Sequence, residues 1–364
     1  DAQESRGLGD VYKRQIFYKT NMSNRTEIST LGEFGLIRHL TDRIEIKNNS
    51  TIKGVGDDAA ILSYENKQVL VTTDLLLEGI HFDLTYVPLK HLGYKSAVVN
   101  FSDIYAMNGQ PKQITVSLGI SKRFSVEDVE DFYAGLKLAC DVYGVDIVGG
   151  DTSASLTGLC ISITCIGEGE KDKVVLRSGA QETDLICVSG DLGAAYMGLQ
   201  LLEREKRIFK GEKDFTPDFT GKEYLLERQL KPEARKDIIE MLRYAGIIPT
   251  AMMDISDGLS SELLHISKES NVGCRVYEDR IPIDYQTAAM AEQFNMNLVT
   301  AALNGGEDYE LLFTVPLIDH DKVSEMKGVK IIGHITKPDL GNYLVGRDGG
   351  EVELKAQGWN SLEE

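Results

Sequence analysis

Acidic residues recur beside apolar runs along this chain, and their types suit metal chemistry. The clusters are Gly56-Asp57-Asp58, Thr72-Thr73-Asp74, Asp103, Gly149-Gly150-Asp151 and Asp254-Ile-Ser-Asp257-Gly258. Carboxylates gathered in one cleft repel one another and raise each other's pKa values, so a fold that collects them usually supplies cations. Magnesium prefers hard oxygen ligands and is commonly held by a few carboxylates together with substrate phosphates. The pattern therefore indicates a magnesium site.

Four of the five clusters taken alone also have a purely structural interpretation, whereas Thr72-Thr73-Asp74 is a stronger signal because it supplies several oxygen ligands at a strand end. Gly56-Asp57-Asp58 and Gly149-Gly150-Asp151 could be turns, because Gly and Asp are common there and Asp caps its own backbone. Asp103 could be a buried polar residue whose hydrogen bonds are satisfied, and Asp254 to Gly258 could be only a helix N-cap. Several separate elements that each end in an oxygen ligand are better explained by one shared metal cluster.

The familiar metal and nucleotide motifs do not account for these clusters. The sequence has no twelve-residue EF-hand loop, no Gly-x-x-x-x-Gly-Lys-Ser/Thr loop, no kinase-type glycine-rich loop and no Gly-x-Ser-x-Gly elbow. His81 lacks a partner histidine for a zinc site, so substrate contact is its only functional interpretation. The run from Gly305 to Glu310 suits a cationic or hydrogen-bonding ligand, although it could also be an ordinary turn.

The elements that must position these residues alternate between strand-like and helical patterns, which predicts a mixed α/β architecture. A strand at residues 69–73 is expected to deliver Asp74 at its end. A helix at residues 91–107 places Asp103 on one face with Asn100, at a spacing of three. A short strand at 146–148 is expected to end at the glycine pair before Asp151. The pattern also predicts helices at residues 31–43 and 126–143 and a strand at residues 311–315. Ser256 or Asp257 is the expected N-cap of a following helix.

Composition limits the partners and the compartment. The chain has 364 residues and a net charge of −18, which argues against nucleic acid or an anionic membrane surface as partner. Its five cysteines show no Cys-x-x-Cys spacing and mostly lie in apolar runs, as buried free thiols do in a reducing compartment. No apolar run has the length of a membrane span and no signal core is visible, so a cytoplasmic location is expected. Residues 1–25 are interpreted as a disordered tail or an assembly scar.

In order, the segments GEFGLI, GVGDDAAIL, TTDLLLEGIHF, YKSAVVNFSDIYAMNGQP, GGDTS, RSGA, DISDGL and GGEDYEL resemble the thiamine-monophosphate kinase family. That family belongs to a superfamily with aminoimidazole ribonucleotide synthetase and selenophosphate synthetase. The resemblance implies transfer of the ATP γ-phosphoryl group to thiamine phosphate, with several Mg²⁺ ions. It also implies a two-domain α/β fold with mixed sheets, like that of aminoimidazole ribonucleotide synthetase, and a homodimer. The expected domains are residues 26–170, which bind ATP and metal and dimerise, and residues 171–364, which complete the site.

The resemblance further implies roles for individual residues. The positions that match magnesium ligands are Asp58, Thr72, Thr73, Asp74, Asp103, Asp151, Asp254 and Asp257. The positions that match ATP contacts are Gly150, Asp151, Arg177 and Ser256. The positions that match thiamine phosphate contacts are His81, Glu307 and Trp359, although Gly358-Trp-Asn-Ser-Leu departs from the usual Gly-Tyr-Asp-His-Phe. The residues expected to act directly in catalysis are Asp74, Asp103, Asp257 and Arg177.

Other members of the superfamily and other classes of protein would require sequence features or binding properties that differ from those expected here. Selenophosphate synthetase normally has a reactive Cys or selenocysteine before the first acidic motif, and this chain has no Cys before Cys140. Aminoimidazole ribonucleotide synthetase typically shows Gly-Val-Gly-Thr-Lys where this chain reads Asp74-Leu-Leu-Leu-Glu. A non-catalytic protein would bind magnesium tightly without nucleotide, and a two-metal phosphatase would release free phosphate.

Overall fold

The protein is represented by a computed structural model that describes residues 51–53, 57, 60–64, 67–208 and 219–357. Some sequence predictions lie outside these residues. They concern Asp58, Trp359, the tail at residues 1–25 and a helix expected at residues 31–43.

The first part of the described chain forms a six-stranded sheet covered on one face by two helices. The strands are β1 Thr51–Lys53, β2 Ala60–Tyr64, β3 Lys67–Leu77, β4 Gln110–Ile120, β5 Asp146–Ala154 and β6 Cys160–Glu170. Their order is β1-β2-β3-β6-β4-β5, and the neighbours are antiparallel except for β4 and β5. The helices are α1 Leu89–Ala106 and α2 Val126–Tyr143. Buried residues such as Phe101, Leu136 and Ile163 join helices and sheet into one core.

Two glycines allow α1 and α2 to cross closely. A Cβ atom on Gly93 would lie 1.9 Å from the Phe132 carbonyl oxygen, and one on Gly135 would lie 1.7 Å from the Lys90 carbonyl oxygen. These are backbone atoms, so neither contact can be relieved by turning a side chain. The helices therefore pack at a distance that only glycine permits at both positions.

Gly135→Ala is expected to destabilise the fold by roughly 1–3 kcal/mol, because the added methyl group must push α1 and α2 apart. Ala134 is exposed on the same helix. At position 134 alanine is preferred over glycine. Ala134→Gly should therefore destabilise the fold by up to about 1 kcal/mol, because it removes a helix-favouring methyl group. Urea unfolding of both variants measures this. An alanine at 135 that stabilised the protein would contradict the close crossing.

The second part of the described chain forms a seven-stranded sheet with its own core. The strands are β7 Leu185–Ser189, β8 Ala251–Asp254, β9 Gly273–Tyr277, β10 Leu311–Val315, β11 Val329–Thr336, β12 Asn342–Val345 and β13 Glu351–Glu353, in the order β13-β12-β9-β11-β7-β10-β8. Only β9 and β12 pair in parallel. The helices are α3 Ala194–Ile208, α4 Glu223–Leu230, α5 Lys236–Tyr244, α6 Leu259–Ser270, α7 Tyr285–Gln293, α8 Leu298–Asn304 and α9 His320–Ser324. Short 3₁₀ turns occupy Glu278–Arg280, Leu317–Asp319 and Pro338–Leu340.

Three local predictions about the acidic clusters are wrong. Asp74 does not end its strand, since the three leucines that follow it remain paired with β6. The strand before Asp151 does not stop at the glycines either, because β5 stays paired with β4 as far as Ala154. The N-cap of α6 is Gly258, with no side-chain capping bond, rather than Ser256 or Asp257. In the two strands, the limit depends on a pairing partner that is remote in sequence.

The break between the two sheets falls between Glu170 and Leu185. The expected domain limits, and the role given to each domain, stay predictions. Within the described part of the chain, no helix combines the length and apolar character that crossing a membrane requires.

Candidate active site

Helix α1 joins the first sheet to the second at a pair of adjacent residues. The Thr72 hydroxyl on β3 donates a hydrogen bond to the Asp103 carboxylate on α1. One residue earlier, the Ser102 hydroxyl donates to Oδ2 of Asp254, at 2.5 Å, where β8 ends. Fourteen of the residues of α1 are buried, so the helix lies in the core. Two of the predicted carboxylates are thereby fixed to one helix.

Asp74 lies on the face of β3 that carries Thr72. Burial raises the pKa of its carboxyl from 3.8 to about 6, because the ionised form loses solvation. Thr73 points to the opposite face, where its hydroxyl donates to the Ile163 carbonyl at 3.1 Å and accepts from Thr164 at 3.0 Å. The structure therefore brings Thr72 and Asp74 to the helix side of the sheet and places Thr73 on the other side.

Tyr309 marks where the carboxylates of both sheets approach one another. Burial raises the pKa of its phenol well above the usual value, and the charges of Glu307, Asp74, Asp254 and Asp257 raise it further. Charges act through space over limited distances, so these four acids lie within Coulombic range of one hydroxyl. Residues that are remote in sequence therefore share one acidic region beside Tyr309.

The loop that carries Glu307 is held against the segment after β8. The Glu307 amide donates to the Ser256 carbonyl at 2.6 Å, and the Tyr309 amide donates to the Ile255 carbonyl at 2.9 Å. Gly306 has a φ of 70°, and a Cβ atom there would lie 2.7 Å from the Ser256 oxygen. Glu307 itself has a φ of 58°. This strained turn aims the Glu307 side chain, whose partners are described below, and leaves it one-third exposed.

Arg177 lies on the segment between the sheets and is tied to the first acidic cluster through Asp57. Its backbone amide donates to Asp57 Oδ1 at 3.1 Å, and its Nε lies 3.9 Å from the same oxygen. Ser270 on α6 donates to the Arg177 carbonyl at 3.2 Å. Sequence reasoning chose Asp58 and missed Asp57, whose buried side chain holds the arginine segment. Nothing in the sequence showed that the Asp57 side chain would be buried.

Of the remaining predicted residues, Gly150 and Asp151 lie on β5 and His81 follows β3. Asp151 is exposed and pairs with Ser117 in register, on the face of the sheet opposite Asp74. Position 150 has no room for a side chain, because a Cβ atom there would lie 2.0 Å from the Val116 carbonyl oxygen. His81 is oriented by the Leu77 amide, which donates to Nδ1 at 3.0 Å, so Nε2 is the protonated nitrogen of the neutral ring.

Three of the carboxylates beside Tyr309, those of Asp74, Asp254 and Asp257, offer only hard oxygens, as does Asp103 on α1, and such oxygens are the donors that magnesium prefers. Among the residues that the structure describes, no three His, Cys, Asp or Glu side chains are grouped as a metal site requires. The predicted ligand set includes Asp58, which lies outside those residues. The set therefore stays a prediction.

Sequence reasoning missed a buried ionic network behind the Glu307 loop. Arg228 on α4 donates to Glu310 Oε1 at 2.9 Å and lies 3.7 Å from Asp308 Oδ1. Arg235 donates to the other Glu310 oxygen. Asp308 Oδ2 accepts the Gly193 amide at 2.9 Å. The sequence carried a signal for this network, because the acidic residues Glu307, Asp308 and Glu310 directly precede an apolar strand. Carboxylates buried beside such a strand need cations as partners.

The pKa of Asp308 gives a pH dependence of stability. Burial raises this pKa from 3.8 to about 7, partly offset by Arg228. Because the folded state binds this proton more tightly than the unfolded state, the contribution to stability is present below about pH 4 and lost as the pH rises through about 7. We expect the free energy of unfolding of Asp308→Asn, measured in urea from about pH 4 to about pH 8, to fall less than that of wild type. Parallel curves would contradict this assignment.

Comparison with known proteins identifies the family. Residues 56–168 match the family described as AIR synthase related protein, N-terminal domain. A thiamine-monophosphate kinase of Aquifex aeolicus (strain VF5) is 36% identical over 321 residues, which cover 85% of this chain and 97% of that protein. One of Bacillus subtilis (strain 168) is 31% identical over 337 residues, covering 91% and 99%.

A solved structure described as AaThiL complexed with AMPPCP and TMP has the same fold. It superposes with a TM-score of 0.79 at 35% identity and covers 93% of this chain and 99% of that one. The predicted two-domain α/β fold is thereby confirmed. Identity above 30% over nearly the whole length of these relatives also confirms the resemblance of the motifs. The chain belongs to the thiamine-monophosphate kinase family.

Proposed function

We propose that this protein transfers the γ-phosphoryl group of ATP to thiamine monophosphate, giving thiamine diphosphate and ADP. The observation that carries the proposal is the pairing of Thr72 with Asp103 and of Ser102 with Asp254, which brings a carboxylate of α1 and one of the second sheet to adjacent positions on that helix, next to a hydroxyl of the first sheet. A related protein of the same fold was solved in complex with AMPPCP and TMP. The acidic region is the part of the described chain best suited to handle phosphates through cations.

The chemistry explains why carboxylates are needed. The second pKa of a phosphate monoester is about 6, so the acceptor oxygen is already anionic near neutral pH and needs no strong base. Two unit charges about 4 Å apart repel by about 4 kcal/mol at an effective dielectric near 20, and both reactants carry more than one charge. When bound, Mg²⁺ neutralises phosphate oxygens and offsets this repulsion. The acidic side chains thus serve to hold cations rather than to attack phosphorus.

Each predicted residue has a place in this proposal. Asp74, Asp103, Asp254 and Asp257 would hold Mg²⁺, joined by Asp58, Thr72, Thr73 and Asp151 as the family resemblance implies. Gly150, Asp151, Arg177 and Ser256 would contact ATP, with Arg177 as an additional charge stabiliser. His81, Glu307 and Trp359 would contact thiamine monophosphate.

The transfer is direct and forms no phosphoenzyme. No activated His, Cys or Asp nucleophile is apparent in the sequence. The cysteines of the chain are free, and burial raises the pKa of the Cys140 thiol to about 11. A stable phosphorylated protein formed from ATP alone would contradict direct transfer.

The active form is proposed to be a cytoplasmic homodimer that pairs through the first sheet. Leu75, on the face of that sheet opposite α1 and α2, is 52% exposed, and Val148 on the edge strand β5 is 57% exposed. Such apolar side chains on an uncovered sheet favour burial against another surface. Sedimentation that gave only monomer at micromolar concentration would contradict the dimer.

The function is tested by incubating purified protein with ATP, Mg²⁺ and thiamine monophosphate and separating the products by chromatography. Free thiamine and acceptor-free reactions are the controls. Thiamine diphosphate that appears in step with ADP would support the proposal. Free phosphate without thiamine diphosphate would indicate a phosphatase, and magnesium binding without any nucleotide binding would indicate a structural metal protein.

A further inference from the structure

Lys95 is a buried cation on α1 that the site described so far does not use. It belongs to the segment YKSAVVN, and its side chain is only 10% exposed. Its ammonium group donates to the Gln229 carbonyl on α4 at 2.9 Å and lies 3.0 Å from Glu307 Oε1. A lysine is rarely buried unless it is paired, so this position needs an acid beside it.

Glu307 is bound at both oxygens by residues of two different helices. Oε1 faces Lys95, and Oε2 accepts a hydrogen bond from the side-chain amide of Gln229 at 2.7 Å. Gln229 is itself buried. With its backbone amide on the Ser256 carbonyl, Glu307 is fixed at the main chain and at the carboxylate.

The Glu307 side chain is held by these contacts, but part of it stays exposed to solvent. The side chain is 33% exposed, while its two partners are almost fully buried. Each carboxylate oxygen has further lone pairs beyond the one used by Lys95 or Gln229. The exposed edge can therefore accept a hydrogen bond from a ligand without losing either protein contact. Pre-orienting an acceptor in this way reduces the entropy lost on binding.

We propose that Lys95 and Gln229 form a clamp that orients Glu307 to accept a hydrogen bond from thiamine monophosphate. This inference rests on the proposed function. Lys95 is a positioning residue that acts through Glu307, and it also offsets the negative charge of Glu307 next to an anionic substrate. The clamp sets the affinity for the acceptor and leaves the ATP side of the reaction unchanged.

The test is steady-state kinetics of Lys95→Met with each substrate varied in turn. We expect the KM for thiamine monophosphate to rise roughly tenfold, as for the loss of a charged hydrogen bond, with little change in kcat or in the KM for ATP. Lys90→Met is the matched control, because Lys90 is exposed on the first turn of the same helix and should keep wild-type kinetics. Lys95→Arg, which keeps the charge, should recover part of the affinity.

A double variant separates positioning from general loss of structure. If Lys95 acts through Glu307, Lys95→Met should add almost nothing to the KM effect of Glu307→Gln. Additive effects, or a folded Lys95→Met protein with an unchanged KM for thiamine monophosphate, would overturn the clamp. If Lys95→Met does not fold, Gln229→Leu removes the second donor but keeps the backbone carbonyl that Lys95 uses, and the same rise in KM is expected. An unchanged KM in that variant would also overturn the clamp.

Failure of the clamp can be told apart from failure of the proposed function. A folded wild-type protein that forms no thiamine diphosphate contradicts the function. An active wild type whose clamp variants keep their acceptor KM contradicts the clamp alone.

Discussion

Asp74→Asn is expected to lower thiamine diphosphate formation by about a hundredfold to a thousandfold or more, while the fold stays at least as stable as wild type. The loss follows from the proposed role of this carboxylate in holding cations against the phosphates. The retained stability follows from its burial, which raises its pKa to about 6 and makes the ionised form costly. Above that pH the ionised carboxyl destabilises the fold, and an amide of the same shape does not carry this cost.

The measurement combines the product assay with urea unfolding at a pH near 8. Asp172→Asn is the matched control, because Asp172 lies exposed in the turn after β6 and should leave both quantities unchanged. A variant that unfolds more easily than wild type would show that Asp74 is structural. A stable variant with full activity would remove Asp74 from the reaction.

Arg228→Met is expected to destabilise the protein by about 3–5 kcal/mol, the cost of breaking a buried ion pair from one side. The substitution leaves the buried carboxylates of Glu310 and Asp308 without the cation that lies between them. It also removes the donor to the Asp191 carbonyl. The free energy of unfolding in urea measures the effect.

Two further variants make the interpretation specific. Arg347→Met removes an arginine whose side chain is 78% exposed and 3.9 Å from its acid, so its cost should stay below about 1 kcal/mol. Adding Asp308→Asn to Arg228→Met should restore part of the stability, because it removes a buried carboxylate that has lost its arginine, whereas Glu310 still has Arg235. If the double variant is less stable than Arg228→Met, packing rather than charge dominates at this network.

Local signals were enough to predict some elements to the residue. Helix α2 begins after Ser125, which forms a capping box with Asp128, and ends at Gly144, whose φ of 72° suits a left-handed cap. The sequence carries each of these residues at the required spacing. The strand β10, from Leu311 to Val315, has the limits predicted from its mostly apolar sequence. Every residue in it is buried.

Where the limits were wrong, the deciding interaction lay far away in sequence. Nothing local shows that β3 continues beyond Asp74, because that depends on pairing with β6. The site was predictable as a set of acidic motifs, but its internal contacts were not. The hydrogen bond between Ser102 and Asp254 spans 152 residues, and it depends on how the two sheets pack.

Helix α1 fixes the distance between the residue that contacts Glu307 and the residue that contacts Asp254. Lys95, which holds the acceptor-side Glu307, and Ser102, which holds Asp254, lie seven residues apart on it. At 1.5 Å per residue, this separation is about 10 Å along a rigid axis, and two turns of helix bring both residues to nearly the same side. The spacing between acceptor and cation sites is thus set by a helix rather than by loops. Evolution of this protein toward a longer acceptor would therefore be easier through the Glu307 loop than through any insertion in α1.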